Sequence, residues 1–113
     1  MSHLPMTDDD HFDADVLEAD RPVLVEFTAA WCPPCRVMAP VLAELAEERD
    51  DLRVVALDVD ANQVTAARYD VLSMPTFLVF AHGAPVGRLV GSRAKRRLVR
   101  EIDELLEQQP AGR

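Results

Sequence analysis

Both cysteines of this chain fall in one pentapeptide, Trp31-Cys32-Pro33-Pro34-Cys35, and the hydrophobic period changes across it. Upstream, Val23-Leu24-Val25-Glu26-Phe27 is a nearly continuous run of β-type residues, which suits a strand buried on both faces. Downstream, Val37, Met38, Val41, Leu42, Leu45 and Ala46 recur at the spacing of an amphipathic helix. A buried strand handing over directly to such a helix points to an α/β sheet. The cysteines then lie on the first turn of the helix, at the carboxyl end of the strand, where open α/β sheets place their sites.

The remaining elements follow from the same periodicities. Thr7 with Asp10 three residues on resembles a capping box, and Phe12, Val16 and Leu17 form a short apolar stripe, so a helix is expected from about Asp8 to Ala19. Before it, Pro5 permits at most a brief edge strand. The helix after the cysteines should run to about Arg49, with a kink at Pro40, which cannot donate to the Arg36 carbonyl. Arg53 to Val59 reads as a strand, Asn62 to Tyr69 as a short helix, and Thr76 to Phe80 as a central strand. His82-Gly83-Ala84 is too short for a parallel crossover, so Val86 to Val90 should return as a hairpin partner. Ser92 is a suitable N-cap for a last helix marked by Leu98, Val99, Ile102, Leu105 and Leu106, and the tail Gln108 to Arg113 should fray. This order predicts one domain over residues 1–113, with a mixed sheet and helices on both faces.

The 113 residues, 49% of them hydrophobic, are enough for one core and too few for two. No apolar run is long enough to span a membrane, and Met1 to Asp10 carry neither the basic start nor the apolar centre of a secretory signal. A cytoplasmic location is therefore expected, where a CxxC is redox-active or metal-binding rather than a lasting structural staple. The net charge of −8 argues against nucleic acid as the main partner. A monomer is expected.

A thiolate at a helix N-terminus is stabilised by unpaired backbone N–H groups and by the helix dipole. Cys32, nearer that terminus, is the expected nucleophile; Cys35, a turn deeper, is placed to resolve the mixed disulfide. Prolines are tolerated at Pro33 and Pro34 because first-turn N–H groups lack helical partners, and they should tune the redox potential in a direction the residues do not fix. Zinc would want four ligands, but there are two cysteines, and His3, His11 and His82 stand at no metal-like spacing. A c-type haem site would need His where Arg36 stands, and an inert disulfide would close too small a loop to matter much.

With these motifs in view, the chain resembles the thioredoxin family nearly end to end. The resemblance rests on Trp31-Cys32…Cys35 after a strand, the helix proline Pro40, Met74-Pro75-Thr76 opening a strand, the Gly83 turn, and Val90-Gly91. It implies a thioredoxin fold, a five-stranded mixed sheet flanked by four helices. The implied activity is reduction of disulfides in client proteins, with no bound cofactor and with electrons supplied by an NADPH- and FAD-dependent thioredoxin reductase. It further implies that Pro75 is cis and sits against the cysteines. The Pro33-Pro34 pair departs from the usual Gly-Pro and is similar to the tryparedoxin and nucleoredoxin relatives. Glu26 stands where the family has a buried Asp, Thr28 where Trp is common, and Ala56 where Lys often neighbours that acid.

A carboxyl at Glu26, inside an apolar strand, should have a raised pKa and suits a general base that deprotonates Cys35 through water; the alternative is a side chain that reaches solvent. Trp31, Pro33, Pro34, Met74, Pro75, Val90 and Gly91 are expected to form the docking surface around Cys32, with the Met74 backbone free to bond an extended client segment. The basic cluster Arg93, Lys95, Arg96, Arg97 and Arg100 reads either as a solvated face or as a surface steering acidic partners. Two rival functions stay open on the residues alone: a more oxidising isomerase or oxidase, and a non-catalytic binding module on the same fold.

Overall fold

The computed structural model describes residues 4–108. Four strands, β1 (Val23–Thr28), β2 (Arg53–Asp58), β3 (Thr76–Ala81) and β4 (Ala84–Val90), form one sheet in the order β2-β1-β3-β4. β1 pairs parallel with β2 and antiparallel with β3, and β3 pairs antiparallel with β4. The helical segments are a π-helical turn (Asp13–Leu17), α1 (Pro33–Glu48), α2 (Gln63–Arg68) and α3 (Lys95–Glu107). The mixed α/β sheet and the four helical segments match the expectation.

Residue alternation along β1 sorts the core into two layers. Val23, Val25 and Phe27 join Phe12, Val16, Leu78 and Phe80 under the π-helical turn and α2. Leu24 joins Met38, Leu42, Leu45, Phe77, Val79, Leu98 and Ile102 under α1 and α3. In the first layer Phe12, Tyr69 and Phe80 stack mutually at centroid distances of 5.4–5.7 Å, which fastens both short helical segments to the sheet. Such aromatic pairs contribute about 0.5–1.5 kcal/mol each beyond their buried area.

Among the described residues the expected fifth strand is not present. The leading segment makes one parallel bridge, Met6 with Ala56, in which Thr7 N–H donates to the Ala56 carbonyl (2.8 Å) and Ala56 N–H donates to the Pro5 carbonyl (2.9 Å). Pro5 has no N–H to extend the ladder, which holds this edge to a single bridge.

The first helix is also shorter than expected. The Thr7 hydroxyl donates to Asp15 Oδ2 (2.8 Å) instead of capping, and Asp8 takes the turn by accepting from His11 N–H (2.8 Å). At the other end, Ser92 does not cap α3; Ala94 occupies the N-cap position, with no side-chain capping bond. The β3–β4 hairpin turns on His82 and Gly83, both at positive φ (55° and 78°), the two-residue geometry that matches strand twist. The tail beyond Gln108 lies outside the described residues, as does His3.

Candidate active site

β1 ends at Thr28, and four residues later Cys32 takes the N-cap position of α1, with Pro33 and Pro34 filling the first two helical positions. Neither proline has an N–H to leave unpaired, so the sequence itself starts the helix here. Cys35 N–H donates to Cys32 Sγ at 3.2 Å, the bond an N-cap side chain makes to the third helical residue. Cys32 and Cys35 are joined as a disulfide with Cα atoms 5.3 Å apart. Both residues are almost fully buried, 2% and 3% exposed, so access does not distinguish them; their neighbours do.

Cys32 faces the segment before β3. Its Sγ lies 3.6 Å from the Met74 carbonyl oxygen, and the Met74–Pro75 peptide is cis, as the resemblance implied. Met74 precedes the β3 ladders, which begin at Thr76, so its backbone is outside sheet pairing. Gly91 N–H donates to the Pro75 carbonyl at 2.9 Å, and Val90 pairs with Thr76, which draws Val90 and Gly91 into the same strip. Pro33, Pro34 and Val90 are exposed, Met74 and Gly91 are half-buried, and Pro75 is buried beneath them.

Trp31, next to Cys32 in the chain, is exposed. Its indole Nε1 donates to Asp60 Oδ2 at 2.8 Å, and Asp60 N–H in turn donates to Asp58 Oδ1 at 2.9 Å. Nothing local in the sequence ties Asp60 to a tryptophan 29 positions away.

Cys35 has different neighbours. It lines a pocket of about 330 Å³ together with Glu26, Ala39, Ala56, Asp58 and Arg36. Glu26 is 1% exposed, so the side chain does not reach solvent on its own, and Oε2 makes no hydrogen bond among the described residues. Burial without a compensating partner penalises the charged form and pushes its pKa up from 4.5 to about 7. Ala56, the register partner of Glu26 on β2, supplies no charge to offset this. Arg36 lines the same pocket, but its guanidinium donates to the Ala30 carbonyl at 2.7 Å.

The basic cluster does not form one solvated face. Lys95 bonds Glu44 (3.0 Å) and Glu48 (2.8 Å) on α1, which offsets the unfavourable meeting of a cation with a helix N-terminus. The Arg93 side chain is only 6% exposed and turns inward, while Arg96, Arg97 and Arg100 remain exposed.

Comparison with known proteins agrees with this geometry. Residues 3–104 match the thioredoxin family profile. The chain is 50% identical over 101 residues to a thioredoxin of Mycolicibacterium smegmatis, covering 87% of this chain and 90% of that protein. It is 48% identical over 99 residues to a thioredoxin of Mycobacterium tuberculosis, covering 87% and 85% respectively. A bifunctional thioredoxin reductase/thioredoxin of Mycobacterium leprae is 46% identical over 99 residues, which are 87% of this chain and 22% of that protein.

Proposed function

The chain belongs to the thioredoxin family, and from that premise we propose how its residues divide the work of a protein-disulfide reductase. As a thioredoxin it is a thiol–disulfide oxidoreductase whose electrons are carried on the Cys32–Cys35 pair. Cys32 is the attacking residue. As a thiolate it displaces one sulfur of a client disulfide, forming a Cys32–client mixed disulfide and releasing a client thiolate. Cys35, deprotonated, then attacks Cys32 Sγ, which re-forms the intramolecular disulfide and releases the second client thiolate. Two electrons pass from the dithiol to the client.

What supports this division is the unlike surroundings of the two sulfurs. Cys32 sits at an N-cap beside the Met74 carbonyl, and Cys35 lines the Glu26 pocket. A carboxyl poised near neutrality in that pocket is suited to take the Cys35 proton, through water, when resolution begins. Trp31, Pro33, Pro34, Met74, Val90 and Gly91 form the surface on which an extended client segment docks over Cys32, with Pro75 buried beneath it. The WCPPC motif is read as tryparedoxin-like: neither proline offers an N–H to Cys32, and Cys35 N–H is the amide that does.

A flavin- and NADPH-dependent thioredoxin reductase recharges the disulfide; the bifunctional relative, which carries reductase and thioredoxin in one chain, supports that pairing. The working location is the cytoplasm, where a reduced dithiol is maintained. Trapping tests the assignment of roles. Cys35→Ser should accumulate a mixed disulfide with oxidised insulin at Cys32, and Cys32→Ser should neither trap nor reduce it. An adduct on Cys35 in the Cys32→Ser variant would reverse the roles.

A further inference from the structure

Arg93 is half-buried as a residue, with a side chain only 6% exposed, where sequence alone expects a solvated cation. Its guanidinium uses all three nitrogens. Nη2 donates to the Val90 carbonyl at 2.6 Å and to the Gly91 carbonyl at 3.2 Å, Nε donates to the Gly91 carbonyl at 3.3 Å, and Nη1 donates to Glu101 Oε1 at 2.7 Å. Glu101 is held in turn by Arg97 (3.4 Å), and the Arg93 bond keeps its carboxyl below the usual range. The turn that Arg93 grips is the one leaving β4, where Gly91 adopts φ +94°. Among the described residues the β3–β4 ladder ends at Val90. From Gly91 the contacts run inward, through its N–H to the Pro75 carbonyl, and Pro75 follows the Met74 carbonyl that faces Cys32 Sγ.

We propose that Arg93, anchored to α3 by Glu101, is a positioning residue that fixes the Val90–Gly91 turn against Pro75, so that protein clients meet a preformed docking strip beside Cys32. The inference rests on the docking reading above. The physical basis is the geometry of the fork: a planar guanidinium can bridge two carbonyls and a carboxylate at once, which a lysine ammonium on a flexible stem does less well. The glycine turn that would otherwise order itself on each client encounter is ordered beforehand, and that lowers the cost of docking without altering the sulfur chemistry.

The test compares oxidised insulin with a small aromatic disulfide too short to reach Val90 and Gly91. Arg93→Ala should raise KM for insulin about three- to tenfold, the worth of one or two hydrogen bonds, while changing the small-disulfide rate by less than about twofold and accelerating amide exchange at Gly91. Arg93→Lys should recover only part of the KM loss. Should Arg93→Ala not fold, Glu101→Gln takes its place, with the same split expected at smaller amplitude. Equal changes for both substrates, or none for either, overturn the positioning role. Val90→Asp separates this from the docking reading: if it leaves the insulin KM unchanged, the docking reading fails, whereas a raised KM there with no effect at Arg93 defeats the positioning role alone.

Discussion

Glu26 and Cys35 line one pocket, the acid from the middle of β1 and the cysteine from the first turn of α1. The strand's alternation brings them together, since Glu26 points to the same side of the sheet as Leu24, the side that α1 covers. An acid buried there without a partner for Oε2 costs stability.

That cost has a pH signature. Between 4.5 and about 7 the native protein holds a proton on Glu26 that the unfolded chain has released. Stability from this group therefore falls as pH rises through that window and stays low above it, by about 3 kcal/mol in total. Urea unfolding of wild type and Glu26→Gln at pH 4 and pH 8 should show the variant lacking a loss of roughly that size. Identical pH dependence in the two proteins would mean Glu26 titrates normally.

Catalysis should carry the same signature in a different observable. Glu26→Ala should slow resolution of a Cys32–client mixed disulfide at pH 7 by about tenfold or more, as removal of a general base does. The deficit should narrow as pH approaches the thiol's own range, where Cys35 ionises unaided. Resolution rates that match wild type from pH 6 to 9, followed by quenched-flow alkylation, would remove Glu26 from the mechanism.

Packing between α3 and the sheet offers a test of the fold itself. Gly87 on β4 lies so close to the Leu105 side chain of α3 that an added Cβ would come within 2.9 Å of Leu105 Cγ. Gly87→Ala must push Leu105 aside, and overpacking of this kind costs about 1–3 kcal/mol. A lowered thermal midpoint with unchanged insulin KM is the expected result. Full stability would show that the half-buried Leu105 side chain swings aside at no cost.

The sheet was legible in the sequence because β1, β2 and β3 are short, mostly apolar runs and the short His82-Gly83-Ala84 connection forces β4 back as a hairpin partner, and the cysteine pair because CxxC at a strand–helix junction is a local pattern. Glu26 was legible as an anomaly, one acid in an apolar strand. What escaped was set by contacts distant in the chain. Thr7 matched a capping box but found Asp15, and Ser92 matched an N-cap but lost the position to Ala94. Arg93 was grouped with its charged neighbours because spacing does not reveal that a guanidinium folds back onto two carbonyls. The fifth strand came from family likeness, whereas Pro5, read on its own, already limited that edge.

The most direct test of the central claim is an equilibrium titration of the Cys32–Cys35 pair against thiol buffers, read by Trp31 fluorescence and checked by alkylation. A reductant should show a single two-electron transition near about −270 mV, the reference value for thioredoxin rather than one obtained from this structure. A midpoint nearer about −180 to −120 mV would contradict the reductase reading in favour of an isomerase or oxidase. The absence of any transition would contradict redox function altogether.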